Sequence, residues 1–312
     1  MKAITKYINE GILNEGILNE GFFNNVGANG ANYLDIILEW IIDVGTKLDG
    51  YISTKNKTSL LKNLDIITLR NIFTLDKDNK LSTNSSGLII KLFIDPSLLD
   101  SMPDILYFSD KIELGLSLID FKGPDFPKLE KLKTKLSGNM HDLFLNRCAI
   151  KDFSFLGTSS VITDIRINQS FIGSFNGLEK INSIYNITLE NTTGSKNFMT
   201  TLPPIANSLS IKKCDSIEDM SEIAKSTQRV EKIFMYENHN IQKCDLSKLN
   251  YVETIVGDDN LFTMTENLNY LPKRLKSIVF SNVRNIRVLE QTVKSLREKF
   301  PSLRITATQL RK

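Results

Sequence analysis

Beyond residue 140, pairs of apolar residues separated by one position recur along the chain at a nearly constant spacing. They are Leu143-Phe144-Leu145, Ile165-Arg166-Ile167, Ile187-Thr188-Leu189, Leu209-Ser210-Ile211, Ile233-Phe234-Met235, Ile255-Val256-Gly257 and Ile278-Val279-Phe280. Counted along the numbering, the steps from Leu143 to Ile278 are 22, 22, 22, 24, 22 and 23. Alternation with period two marks a strand with one buried face, and a fixed period of this size marks a chain that winds one strand per turn. Upstream, Ile67-Thr68-Leu69, Ile90-Lys91-Leu92 and Leu116-Ser117-Leu118 extend the pattern with looser steps of 23, 26 and 27. Leu303-Arg304-Ile305 is a candidate for its last member. The spacing predicts an α/β solenoid whose strands form one parallel, curved sheet, with about ten coils of roughly 22–27 residues each.

The ends of the chain have other patterns. Residues 33–44 place Asp35, Glu39 and Asp43 four apart, with Leu34, Ile37, Leu38, Ile41 and Ile42 around the rest, which predicts an amphipathic helix with a wide buried face. Trp40 falls on its buried side. A second helix is expected over Ile286–Lys299, in the last coil, and the first would shield the opposite end, as terminal repeats require. Residues 1–32 are rich in Gly, Asn and Glu, with Gly11-Ile12-Leu13-Asn14-Glu15 repeated at 16–20 and a linker texture over 24–31. The expected organisation is leader and linker 1–32, capping helix 33–58, and repeats 59–312.

Three places after the second apolar position stand Cys148, Ser170, Thr192, Cys214, Asn238 and Asn260, so each unit resembles the leucine-rich-repeat consensus L-x-L-x-x-N/C. Gly257 and Val283 depart from it and leave the subtype open. The resemblance implies that the small polar side chain turns inward and bonds backbone groups freed where the strand ends. It also implies a concave face that binds protein. That ribbon would carry Phe144, Arg166, Thr188, Ser210, Phe234, Val256 and Val279, beside Asn146, Asn168, Glu190, Lys212, Tyr236, Asp258 and Ser281. Aromatic groups among mixed charges suit a protein partner, with Phe144, Arg166, Lys212, Phe234, Tyr236 and Asp258 as the candidate contacts, Phe144, Phe234 and Tyr236 being expected exposed. An ordinary solvated sheet is the competing reading.

The leader carries three copies of one pattern, Ile8-Asn9-Glu10-Gly11, Leu13-Asn14-Glu15-Gly16 and Leu18-Asn19-Glu20-Gly21. Leu/Ile-x-Glu before a small residue resembles the prohead-protease cleavage rule of T-even-like tailed bacteriophages. The opening Met1-Lys2-Ala3-Ile4-Thr5-Lys6-Tyr7-Ile8-Asn9-Glu10-Gly11 is similar to the capsid-targeting peptide of those phages' internal head proteins. The resemblance implies cleavage after Glu10, Glu15 or Glu20, with Ile8, Leu13 and Leu18 and with Gly11, Gly16 and Gly21 as recognition positions. Elsewhere Ile37-Leu38-Glu39 and Leu296-Arg297-Glu298 match in part only, being followed by Trp40 and Lys299. The alternative is an amphipathic docking helix with Ile4, Ile8 and Ile12 on one side; a five-residue repeat advances ~140° per copy, so Leu13 and Leu18 would not join that side.

Composition narrows the rest. With 41% hydrophobic residues the chain can fill a large core, and its net charge of +3 is spread along the sequence, so nucleic-acid binding is not indicated. Three cysteines without C-x-x-C spacing and two histidines, His141 and His239, leave little material for a metal site or a Ser-His-Asp nucleophile. Asp258, Asp259 and Glu237 form an acidic group with no nucleophile beside it and read as a solvated loop edge. No catalytic residue, cofactor, metal or membrane span is expected. The function expected from the two resemblances is that of a phage internal head protein. Its partners would be the prohead protease, the scaffold and capsid interior, and an unknown host or phage protein; its location would be the virion interior, then the host cytoplasm. The alternative is an unprocessed cytoplasmic leucine-rich-repeat interaction module.

Overall fold

The computed structural model describes residues 33–54, 57–104, 106–135, 140–157, 159–225 and 229–309. Helix α1 (Tyr33–Leu48) leads into an antiparallel pair, β1 (Tyr51–Ser53) and β2 (Thr58–Leu60), then α2 (Ile66–Ile72) and a hairpin of β3 (Phe73–Leu75) and β4 (Leu81–Thr83). Strands β5 (Leu88–Ile94), β6 (Ile112–Ile119) and β7 (Met140–Asn146) follow, with α3 (Pro96–Asp100) and α4 (Phe126–Lys135) in the connections. Long strands β9 (Ser159–Asn168) and β11 (Ile181–Glu190) alternate with the short strands β8 (Ala149–Ile150), β10 (Phe171–Ile172) and β12 (Thr193–Gly194). The chain continues through β13 (Ser208–Lys212), β14 (Lys232–Tyr236), β15 (Thr254–Gly257), α5 (Asn260–Thr265), β16 (Ser277–Val283), α6 (Ile286–Lys299) and β17 (Arg304–Gln309).

Among the described residues the main sheet has twelve strands in the order β2-β1-β5-β6-β7-β9-β11-β13-β14-β15-β16-β17. From β5 onward every neighbour is parallel and the next in chain order, while β8, β10 and β12 make a second, smaller parallel ladder. The molecule is thus an α/β protein built on a large, mostly parallel sheet. Register follows the apolar pattern: Leu143, Ile165, Ile187, Leu209, Ile233, Ile255 and Ile278 lie side by side on successive strands. All seven are fully buried, and Leu145, Ile167, Leu189, Ile211, Met235 and Phe280 form a second buried column two positions on. In the return segments Phe153, Phe175 and Phe198 stack with centroids 5.8 and 5.9 Å apart.

Three upstream or terminal expectations need correction. Ile67-Thr68-Leu69 is helical, not a strand: Asp65 caps α2 by accepting from the Thr68 N–H at 2.7 Å, and Arg70 holds the helix to α1 through both oxygens of Asp35 at 2.8 and 2.6 Å. Leu69 is buried and Ile67 is 67% exposed, as a helical face dictates and a strand triplet would not. On β5 the pair in register with Leu116 and Leu118 is Leu92 and Ile94, not Ile90 and Leu92, because Ile90 faces Leu114. On β17 the residue opposite Ile278 is Ile305, so Leu303 lies outside the strand. Where three apolar positions alternate, period two allows several pairings and only the neighbouring strand selects one.

Seven of the parallel strands end in the same way, while after β15 Asp259 stays right-handed and opens α5. Asp120, Arg147, Gln169, Asn191, Lys213, Glu237 and Asn282, two positions after the second column, adopt positive φ between 47° and 61°. This left-handed step turns the chain, and the N–H groups of Asp120, Arg147, Gln169, Asn191 and Lys213 reach the carbonyls of Asn146, Asn168, Glu190, Lys212 and Tyr236 on the next strand at 3.0–3.1 Å. None of the seven is β-branched, which fits the steric cost of that region.

The next residue points into the core. Thr192 Oγ1 donates to the Ile167 carbonyl at 3.0 Å, Asn238 Nδ2 donates to the Ile211 carbonyl at 3.0 Å, and the Cys148 thiol donates to the Leu118 carbonyl at 3.2 Å. In the other direction Ser170 Oγ accepts from the Cys148 N–H at 3.0 Å, Asn238 Oδ1 accepts from the Cys214 N–H at 2.9 Å, and Asn260 Oδ1 accepts from the Asn238 N–H at 2.9 Å. Burial pushes the Cys148 and Cys214 thiols up to about 11, leaving them protonated donors at neutral pH. At Gly257 the second apolar column is interrupted for lack of room: a Cβ there would stand 2.4 Å from the Met235 carbonyl oxygen, and Leu261 from α5 fills the adjoining space.

One end of the core is closed by α1, whose Ile37, Leu38, Ile41 and Val44 are fully buried against α2 and β5. Trp40 is packed there and its indole N–H donates to the Leu98 carbonyl at 3.3 Å. No helix among the described residues is long and apolar enough to cross a membrane.

Asn238→Ala removes one donor and one acceptor from groups that water cannot reach, and should lower stability by about 2–4 kcal/mol in urea unfolding. At the left-handed position, Gln169→Gly should be neutral or stabilising, whereas Gln169→Val should cost about 1–2 kcal/mol in the same measurement.

Candidate protein-binding face

The period of two sends one set of side chains from the parallel strands into the core and the other onto the opposite face of the sheet. Three rows stand on that face. The middle row, between the two buried columns, holds Phe144, Arg166, Thr188, Ser210, Phe234, Val256 and Val279 in lateral register. The row after it carries Asn146, Asn168, Glu190, Lys212, Tyr236, Asp258 and Ser281, and the row before it begins with Lys91, Gly115, Asp142, Asp164, Asn186, Ser208 and Lys232.

The six residues singled out from the sequence fall into two groups on this face. Phe144 and Arg166 are lateral neighbours on β7 and β9; Lys212, Phe234, Tyr236 and Asp258 cluster at β13–β15. Between them β11 and β13 present the short side chains of Thr188 and Ser210. Arg166 is exposed, but Phe144, Phe234 and Tyr236, expected to be exposed, are half-buried. Strands about 4.8 Å apart leave each ring pressed between its lateral neighbours, so only its outer edge is offered. Lys212 is engaged by Glu190 at 2.8 Å, and Arg166 stands 3.8 Å from Asp164.

Asp258 has a structural task. Its Oδ2 accepts from the Glu237 N–H at 2.7 Å and its Oδ1 from the Asn260 N–H at 3.0 Å, closing the end of β15. Glu237 pairs with Lys213 at 3.2 Å, and Asp259 accepts from the Arg284 N–H at 3.1 Å. The three carboxylates are therefore each committed to a neighbouring donor. Burial, then the Asp258 charge, raises the Tyr236 hydroxyl above its ordinary range, so it stays a neutral hydrogen-bonding group. The face offers aromatic edges, amides, hydroxyls and paired charges. Among the described residues no three His, Cys, Asp or Glu side chains are grouped to hold a metal ion.

The lower row contains polar residues that the apolar triplets alone do not flag. Lys91 Nζ reaches Asp142 Oδ2 at 2.5 Å across β6, and the two side chains are only 12% and 20% exposed. Gly115 lies beneath them: a Cβ there would come within 2.6 Å of Asp142 Oδ1 and 2.8 Å of Lys91 Cδ. Farther along, Asn186 donates to Asp164 at 3.0 Å and accepts from Asn207 and Ser208 at 2.8 and 2.7 Å. The signal was present one place before five of the apolar triplets, where Asp142, Asp164, Asn186, Ser208 and Lys232 are all polar, and Lys91 takes the same place once β5 is paired through Leu92 and Ile94. The candidate processing residues Ile8, Glu10, Gly11, Leu13, Glu15, Gly16, Leu18, Glu20 and Gly21 lie outside the described residues.

Gly115→Ala should push the Lys91–Asp142 pair apart and cost about 1–3 kcal/mol in urea unfolding. The same change in a Lys91→Ala, Asp142→Ala background should cost clearly less, so a mutant cycle between the glycine and the pair should show coupling. In comparisons with known proteins, no family model matches the chain and no curated protein is significantly similar to it.

Proposed function

We propose that this chain is a phage internal head protein: a cargo carried into the prohead by its N-terminal leader, trimmed there by the prohead protease, and equipped with a leucine-rich-repeat solenoid that binds another protein. The observation that carries the reading is the leader, where three copies of Leu/Ile-x-Glu-Gly fall between Ile8 and Gly21 and place their glutamates at Glu10, Glu15 and Glu20. All three sites precede Tyr33, the first residue of α1, so cleavage at any of them leaves every described element intact. A cargo that must survive proteolysis in the prohead needs that separation between cut sites and folded body.

The solenoid reading is supported by parallel strands stacked in chain order, by the even spacing of the buried columns, and by the inward polar position that joins neighbouring units. The binding role is supported by the face of the sheet, where Arg166 and the half-buried edges of Phe144, Phe234 and Tyr236 flank a floor of small side chains. Its occupant would be a host or phage protein, met inside the virion or in the host cytoplasm after delivery.

Mass spectrometry of the N-terminal peptide, on protein from purified phage particles, tests the reading. The expected start is Gly11, Gly16 or Gly21, and deletion of residues 1–20 should abolish packaging while leaving the melting temperature of the body unchanged. An intact Met1 in protein absent from particles would overturn it in favour of an unprocessed interaction module.

A further inference from the structure

The two ends of the main sheet are finished differently. At the first, β2 is three residues long, runs antiparallel to β1, and is flanked by Lys57 and Lys62, while α1 covers the core behind it. Short edges bearing lysine resist further pairing. At the other end β17 runs six residues with one hydrogen-bonded neighbour among the described residues, contains no proline, and has Arg304 at its start as its sole charged residue.

The core also runs out there. Ile305 is half-buried and Ala307, which continues the column of Met235 and Phe280, is exposed. Between Ala307 and α6 lies a groove of about 550 Å³ lined by Leu289, Val293 and Ala307, with Glu290, Lys294, Arg297 and Glu298 on its rim. None of those four charged groups takes part in an ion pair among the described residues. An open strand edge and an apolar groove therefore share one end of the molecule.

The rim charges fit a particular occupant. Two acidic and two basic groups lie along one helix, so the rim is balanced in charge. If a second α6 is laid antiparallel with its midpoint between Val293 and Lys294, Glu290 of each copy faces Arg297 of the other. An isologous contact needs that self-complementarity, since the same patch must serve both sides. We propose that the β17 edge and α6 form a twofold interface with a second copy of this chain, in which the two β17 strands pair antiparallel and the half-buried Val293 of each copy packs against the groove of the other, whose floor is the buried Leu289. The contact does not rest on the leader or on phage origin, and it leaves the sheet face free for a different partner.

Sedimentation equilibrium of the full chain over a concentration series tests this. The expected result is a monomer–dimer equilibrium. Arg297→Glu should weaken it about tenfold, and Glu290→Arg combined with Arg297→Glu should return the affinity to within about threefold of the parent. Val293→Asp should shift the chain to monomer, with circular dichroism and urea unfolding showing that the body still folds. A monomer at every concentration would overturn the proposal, including one that binds a different protein along the same edge. So would a dimer whose affinity ignores Arg297→Glu and Val293→Asp.

Discussion

The structure depends on what happens to the backbone where each parallel strand ends. A strand satisfies its N–H and C=O groups through its two neighbours, but the chain must then turn over the core, where the freed groups face apolar side chains and no water. Here two successive residues solve the problem together. The first takes the left-handed conformation and passes its N–H to the next strand, and the second turns a hydroxyl, thiol or amide inward to bond backbone groups of the unit before it. Asn238 does this most completely, accepting from the Cys214 N–H and donating to the Ile211 carbonyl, both in the preceding unit.

That arrangement makes each unit's stability conditional on its neighbours. Ser170 completes the bonding of Cys148, Asn238 that of Cys214, and Asn260 that of Asn238, so a strand removed from the middle would orphan groups on both sides. It also makes the ends special. The β5 end lacks a preceding parallel strand, and the chain answers with the α1 helix, whose indole bonds the Leu98 carbonyl, and with the antiparallel β1–β2 pair. At β17 the apolar column simply continues onto exposed Ala307.

Much of this was legible because two simple periods act on the same side chains. Alternation with period two and recurrence every 22–24 residues located seven strands and their register from Leu143 to Ile278, and the spacing of three acids four apart located α1. The inward polar position was readable too, since only small polar residues fit where Cys148, Ser170, Thr192, Cys214, Asn238 and Asn260 stand. What failed was local. Ile67-Thr68-Leu69 has the letters of a strand, but Asp65 supplies a cap and Arg70 a tertiary anchor on Asp35, and neither contact is visible in so short a pattern. Aromatic exposure on the sheet face was overestimated because alternation tells which face a ring occupies and nothing of how closely its lateral neighbours crowd it.

The same limit explains why the candidate face was read only in part. Asp258 looked like a free acid in sequence, whereas its two oxygens are spent on the Glu237 and Asn260 N–H groups, and a variant there would disturb the turn before it disturbed any partner. Lys91 and Asp142 are 51 residues apart and meet only because β6 places Gly115, which has no side chain, between them. A partner laid across this face would therefore meet rigid, mutually bonded polar groups at its lower row and ring edges above them. Binding by such a surface costs little ordering of side chains, because the sheet has already fixed them. Recognition would then be decided by shape across the small residues Thr188 and Ser210, with Arg166 as the charge left most accessible beside them.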